Sequence, residues 1–139
     1  MMDAENLKLT IADDDDLMVL STLLQDATVL IGDMGYDDGS FMMVAARFIS
    51  PQGGGDPDNR SGQRRLMGVN FSGLTGIKRK GFSPHDRDDV LNLLAIRANG
   101  TTIELVFSGA AMVRLECPSI KVYAADLGEG WVTSFQPKH

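Results

Sequence analysis

The stretch "VLNLLAIRANGTTIELVFSGAAMVRLEC", residues 90 to 117, constrains the fold more than any other part of the chain. Ile103, Leu105 and Phe107 fall on one side of an extended backbone, with Thr102, Glu104 and Ser108 on the other, the period-two pattern of a half-buried strand. Asn99-Gly100 predicts a tight hairpin between strands at 90–98 and 101–108, and "SGAA" turns the chain into a third strand at 112–117. Strands joined by such short turns pair as an antiparallel meander, so the rest of the fold must extend or cover that sheet.

Upstream, "LKLTI" places Leu7, Leu9 and Ile11 on one face of a first strand. Four consecutive aspartates, Asp13 to Asp16, follow. Beyond them Leu17, Leu20, Leu24 and Ala27 recur at helical spacing, which predicts an amphipathic helix from about Asp14 to Asp26. Asp13 is the expected N-cap, and Asp14 to Asp16 place negative charge at the positive end of the helix dipole. Adjacent aspartates on a first turn point about 100° apart, and the stretch lacks the spaced acids and terminal glutamate of an EF-hand loop, so no metal site is expected there.

Strands are expected at 28–36 and 41–50, joined by a tight turn at Asp38-Gly39. The second carries apolar residues at both parities, which predicts cover on both faces, one of them supplied by the helix. A strand at 64–72 continues uncertainly through Ile77 into a basic cluster, and "SPHDRDD" reads as a turn. Residues 119–127 fit either a strand or a helix, and their β-branched side chains favour the strand. Residues 51–63, "PQGGGDPDNRSGQ", read as a mobile loop inside a single domain spanning 1–139; their glycines do not lead into the Gly-Lys-Ser/Thr of a phosphate loop. Trp131 and Phe135 are expected to dock on their own domain. The fold class is therefore α+β: a largely antiparallel curved sheet or partly open barrel of about seven strands, with one main helix after the first strand. A pleckstrin-homology-like barrel is a comparison only if 119–127 is a terminal helix.

Charge is the most unusual property. Residues 1–59 hold twelve acids against Lys8 and Arg47, whereas Arg60, Arg64, Arg65, Lys78, Arg79, Lys80 and Arg87 face a single acid, Asp86, within 60–87. The overall net charge of −6 argues against a primarily nucleic-acid-binding role. Phe71 and Phe82 are the only aromatic residues of the basic region that could stack on bases. The N-terminus has no basic-then-apolar leader, no stretch is long enough to span a bilayer, and the single cysteine, Cys117, suits a reducing compartment; a cytoplasmic location without membrane contact is expected.

Cys117, at the end of an apolar run, reads as a buried, inert thiol. No zinc, P-loop or nucleophile-elbow motif is present, so neither a metal nor a cofactor is expected. Ser83 lies near His85 in sequence, but proximity alone places no proton on a base.

Several segments resemble a family of small alphaproteobacterial proteins catalogued as domain of unknown function 2948: "LKL" before an acidic helix start, "LQDATVLIGDMGY", "VLNLLAIR", "RLEC", "DLGEGW" and the closing Pro-Lys-His. The resemblance implies a bacterial source and assigns no catalytic residue. The leading functional expectation is a non-catalytic binding or accessory protein that recognises an acidic protein surface or a small anion through Arg64, Arg65, Lys78, Arg79, Lys80 and Arg87, with self-association as a further possibility. The alternative is a small enzyme drawing its acid and base from scattered aspartates and His85. Lysines protecting an exposed strand edge are the plain structural reading of the same charges.

Overall fold

In the extended backbone at Asp13 the side chain turns back to its own helix, and Oδ1 accepts from the Asp16 N–H at 2.8 Å. This cap starts α1 (Asp14–Leu23), as the aspartate run predicts. The computed structural model describes residues 7–48 and 64–127. The Gly/Pro-rich loop expected at 51–63 and the docking of Trp131 and Phe135 lie outside the described residues.

The helix ends earlier than its apolar periodicity suggests. Asp26 takes a left-handed φ of 69°, and its N–H donates to the Leu93 carbonyl at 2.8 Å instead of continuing the helix. Leu93 N–H returns a bond to the Ala27 carbonyl. The chain is thus handed directly to the sheet.

Among the described residues ten strands form that sheet, and every pairing is antiparallel. They are β1 (Lys8–Ile11), β2 (Thr28–Leu30), β3 (Gly35–Asp37), β4 (Ser40–Phe48), β5 (Arg64–Phe71), β6 (Gly76–Lys80), β7 (Val90–Asn99), β8 (Thr102–Phe107), β9 (Met112–Glu116) and β10 (Val122–Asp126). The order is β1-β10-β5-β4-β2-β7-β8-β9-β6, with β3 added to β4, and the sheet does not close into a barrel. The α+β class holds, with more strands than the expected seven.

Two departures account for much of the higher count. The single strand expected at 28–36 is broken by a 3-10 turn at Ile31–Asp33, because the 86–89 loop docks there: Ile31 N–H donates to the Asp89 carbonyl at 2.9 Å and Gly32 N–H to the Arg87 carbonyl at 3.0 Å. A Cβ on Gly32 would lie 2.9 Å from that carbonyl oxygen, so the approach needs glycine. Downstream, the segment through Ile77 forms a strand of its own, β6, at the end of the sheet.

The turns follow the sequence closely. Asp37 pairs with Ser40 across Asp38 and Gly39, both at positive φ (51° and 77°), as a type I′ hairpin requires. The β7–β8 turn sits one residue later than expected: Asn99 pairs with Thr102, and Gly100 is the first central residue at φ 66°. Residues 122–126 are a strand, wedged between β1 and β5, which removes the terminal-helix comparison.

The helix packs on β7 rather than β4. Because β2 is only three residues long, the edge of β7 beyond Leu93 is left uncovered, and α1 fills it; Ile96 N–H donates to Ser21 Oγ at 2.8 Å. Leu17 and Leu20 of α1, and Leu24 at its C-cap, enter one core with Met43, Phe71, Leu105 and Phe107. Burying each such side chain contributes roughly 1.5–3 kcal/mol. In the middle of β4, Met43, Val44 and Ala45 are all buried, so that strand is covered on both faces as expected, while its ends are covered on one. Among the described residues, no helix is long and apolar enough to cross a membrane.

Candidate functional site

Successive side chains of a strand point to opposite faces, and on β6 this divides the basic run Lys78-Arg79-Lys80 in two. Lys78 and Lys80 point to the outer face, where their cross-strand partners on β9 are the exposed Arg114 and the half-buried Met112. Arg79 points inward beside Val113, on the same side as Ile77. Gly81 ends the strand at φ 85°; a Cβ there would stand 2.5 Å from the Ala110 carbonyl oxygen, so the chain can leave β6 by this path only through glycine. Phe82 then packs edge-on against Phe107, with ring centroids 6.5 Å apart.

On the outer face the register draws a charged row across four strands: Lys78 of β6, Arg114 of β9, Glu104 of β8 and Arg97 of β7. Glu104 is only 4% exposed. It accepts from Arg97 Nε at 2.9 Å and pairs with Arg114 Nη2 at 3.3 Å. The Arg97 hydrogen bond, followed by the charges of Arg97 and Arg114, outweighs burial and holds the Glu104 carboxyl below the usual glutamate range. One carboxylate is shared by two arginines, leaving Lys78 and Lys80 without an ion pair among the described residues. Lys78, Lys80, Arg114 and Met112 border a depression of about 240 Å³, also touched by Arg79. Its chemistry is a cationic rim around an apolar thioether, suited to an anion carried on a partly apolar surface.

The inward residue Arg79 reaches a second site. A cavity of about 140 Å³ lies between β3, β6 and the 82–87 loop, and Arg79 and Arg87 both border it. The bond from Gly32 N–H to the Arg87 carbonyl anchors that loop, and Arg87 Nη2 in turn donates to the Gly32 carbonyl at 3.3 Å. Asp33, beside this anchor, has a carboxyl pushed up by burial and drawn partly back by the Arg87 charge.

Arg64 and Arg65 are placed elsewhere, at the start of β5, which four intervening strands and β9 separate from β6 in the sheet order. The Arg64 guanidinium lies 5.5 Å from the centre of the Phe48 ring and donates to the Ala46 carbonyl at 3.0 Å. Arg65 stands opposite Arg47 in the β4–β5 register. Of the six basic residues expected to act together, the structure assembles Lys78 and Lys80 on one face and Arg79 and Arg87 on the other. Arg114 was missed in the sequence because its membership depends on the β6–β9 register.

The Ser83 hydroxyl accepts from the His85 backbone N–H at 3.1 Å, a local turn bond, and the His85 side chain is exposed. Among the described residues, no three histidine, cysteine or acidic side chains lie close enough to hold a metal ion. Cys117 is buried, and desolvation pushes its thiol up. Among the described residues, the groups whose ionisation the fold shifts, Asp33, Glu104, Cys117 and Asp126, sit on four separate segments.

No curated protein and no solved structure matches the chain. A family model does match it, over residues 7–139, and the chain belongs to that family, described as protein of unknown function DUF2948.

Proposed function

We propose that this is a non-catalytic binding or accessory protein of the bacterial cytoplasm, which recognises an acidic protein surface through the outer face of β6 and β9. One observation carries the reading: Lys78, Lys80 and Arg114 converge around Met112, and the single carboxylate in their row, Glu104, is already engaged by two arginines. Protein interfaces favour this combination of an apolar centre, often methionine or an aromatic, with a polar rim. Clustered cations also steer an acidic partner into register. The lone cysteine, which can form no internal disulfide, suits a reducing compartment.

Lysines on an end strand also discourage edge pairing, and that role predicts no ligand. Affinity capture from native lysate, with elution by a salt gradient, separates the two readings. An interaction partner should elute at moderate salt from wild type and be absent from a Lys78→Gln/Lys80→Gln/Arg114→Gln variant that melts normally. Equal recovery by the two proteins would reduce the row to a solvated edge.

A further inference from the structure

The inward face of the same strand carries a different chemistry from the outer face. The 140 Å³ cavity beside β3 is floored by Ile31, Phe41, Phe82 and Val113, of which Ile31, Phe41 and Val113 are buried in the core and Phe82 is half-buried. Arg79 enters from β6 and Arg87 from the 82–87 loop, both exposed at the cavity border. Neither guanidinium forms a close ion pair with a carboxylate among the described residues, although the Arg87 charge acts on the nearby Asp33 carboxyl. Arg87 is nonetheless held in place by its bond to the Gly32 carbonyl. Tyr36, 41% exposed, also borders the cavity.

We propose that this cavity is a binding site for a small organic monocarboxylate with a compact apolar body, the body resting on Phe41, Phe82 and Val113 and the carboxylate meeting Arg79 and Arg87. Size sets the class. An apolar cavity of about 150 Å³ accommodates a benzene ring, so a space of this volume matches a single ring or a short branched chain. Charge sets the head group. Arginine presents a planar fork of donors that matches a carboxylate, and two forks beside an apolar floor favour an anion with an apolar side over a fully hydrated one. Inorganic phosphate could meet the same arginines but would leave the floor unfilled. The site shares Arg79 with the border of the outer depression, but strand alternation keeps Lys78 and Lys80 on the opposite face.

Titration of the ¹⁵N-labelled full chain with benzoate and isovalerate, alongside acetate and inorganic phosphate, tests the assignment. Benzoate or isovalerate should bind saturably and more tightly than acetate or phosphate, with the largest shifts at Phe41, Phe82 and Val113. Affinity should fall by about tenfold or more in Arg79→Gln/Arg87→Gln and stay unchanged in Lys78→Gln/Lys80→Gln. Mapping on the wild type locates the site even if the arginine variant folds poorly. Three results would overturn the proposal: no saturable binding of either apolar acid, equal affinity for phosphate, or shifts that map to the outer face.

Discussion

Arg47 and Asp126, 79 positions apart in the chain, meet as a two-pronged ion pair inside the fold: Arg47 Nε and Nη2 donate to the two Asp126 carboxylate oxygens at 3.0 and 2.8 Å. The Asp126 side chain is wholly buried, and Leu7 N–H donates to it as well. The pair ties β4 to β10, and through Leu7 it also holds the approach to β1.

Removing one partner leaves the other buried without its two-pronged ion pair, so Asp126→Asn and Arg47→Met should each destabilise by about 3–5 kcal/mol. Replacing both by apolar residues removes the charge together with its partner. The double variant Arg47→Met/Asp126→Leu should therefore be more stable than either single variant in urea unfolding. A double variant as weak as the sum of the singles would show that the two charges do not couple in the folded state.

The same pair fixes a pH dependence. Burial pushes the Asp126 carboxyl up, but the Arg47 hydrogen bond, the Leu7 N–H and the charges of Arg47 and Arg65 outweigh it, and the folded-state value lies below the ordinary aspartate range. A carboxyl depressed on folding contributes stability that is fully present above its unfolded value, near about 3.9, and is lost as pH falls through the folded value. Melting temperature should drop on acidification below about pH 4. Asp126→Asn should flatten part of that drop. An unchanged acid limb would place the acid sensitivity in other carboxylates, such as Glu104.

The helix cap makes a smaller, local contribution. Asp13→Ala removes the acceptor for Asp16 N–H and should cost about 1 kcal/mol. Calcium or magnesium should leave the melting temperature of wild type unchanged. A cation-dependent rise that disappears in an Asp14/Asp15/Asp16 triple alanine variant would restore the metal reading of the aspartate run.

Two glycines test the backbone path into the site. Gly81 and Gly100 both have positive φ, but a Cβ on Gly100 meets nothing within 4 Å, whereas one on Gly81 runs into the Ala110 backbone. Gly100→Ala should cost about 1 kcal/mol from strain alone. Gly81→Ala should cost more and shift the amide resonances of Lys78 to Lys80. Equal costs would mean that β6 can leave the sheet by another route.

What the sequence made legible were features decided within a few residues. The Asp13 cap, the Asp38-Gly39 turn, the leucine stripe of α1 and the alternation of β10 depend on neighbours close in the chain, and each is present in the structure. Long-range register was not legible. Nothing near Arg114 in sequence reveals that it lies opposite Lys78, nor does Arg47 announce Asp126. The break at Gly32 and the move of α1 onto β7 have the same origin, since each depends on which distant segment occupies an edge or leaves it bare. Even the basic run misled as a single patch, because its division follows from the strand alternation of β6, which the sequence left uncertain.

The alternation of β6 decides which side chains meet an acidic partner. Fluorescence anisotropy of a labelled polyglutamate peptide, titrated with wild type and with single glutamine variants at Lys78, Arg79, Lys80 and Arg114, measures it directly. Binding should weaken in the Lys78, Lys80 and Arg114 variants, change little in the Arg79 variant, and be lost for all proteins as salt rises from about 0.1 M to about 1 M and the Debye length shrinks from about 10 Å to about 3 Å. If the wild type does not bind the peptide at low salt, or if Arg79→Gln weakens it as much as Lys78→Gln does, the outer face of β6 and β9 is not the recognition surface.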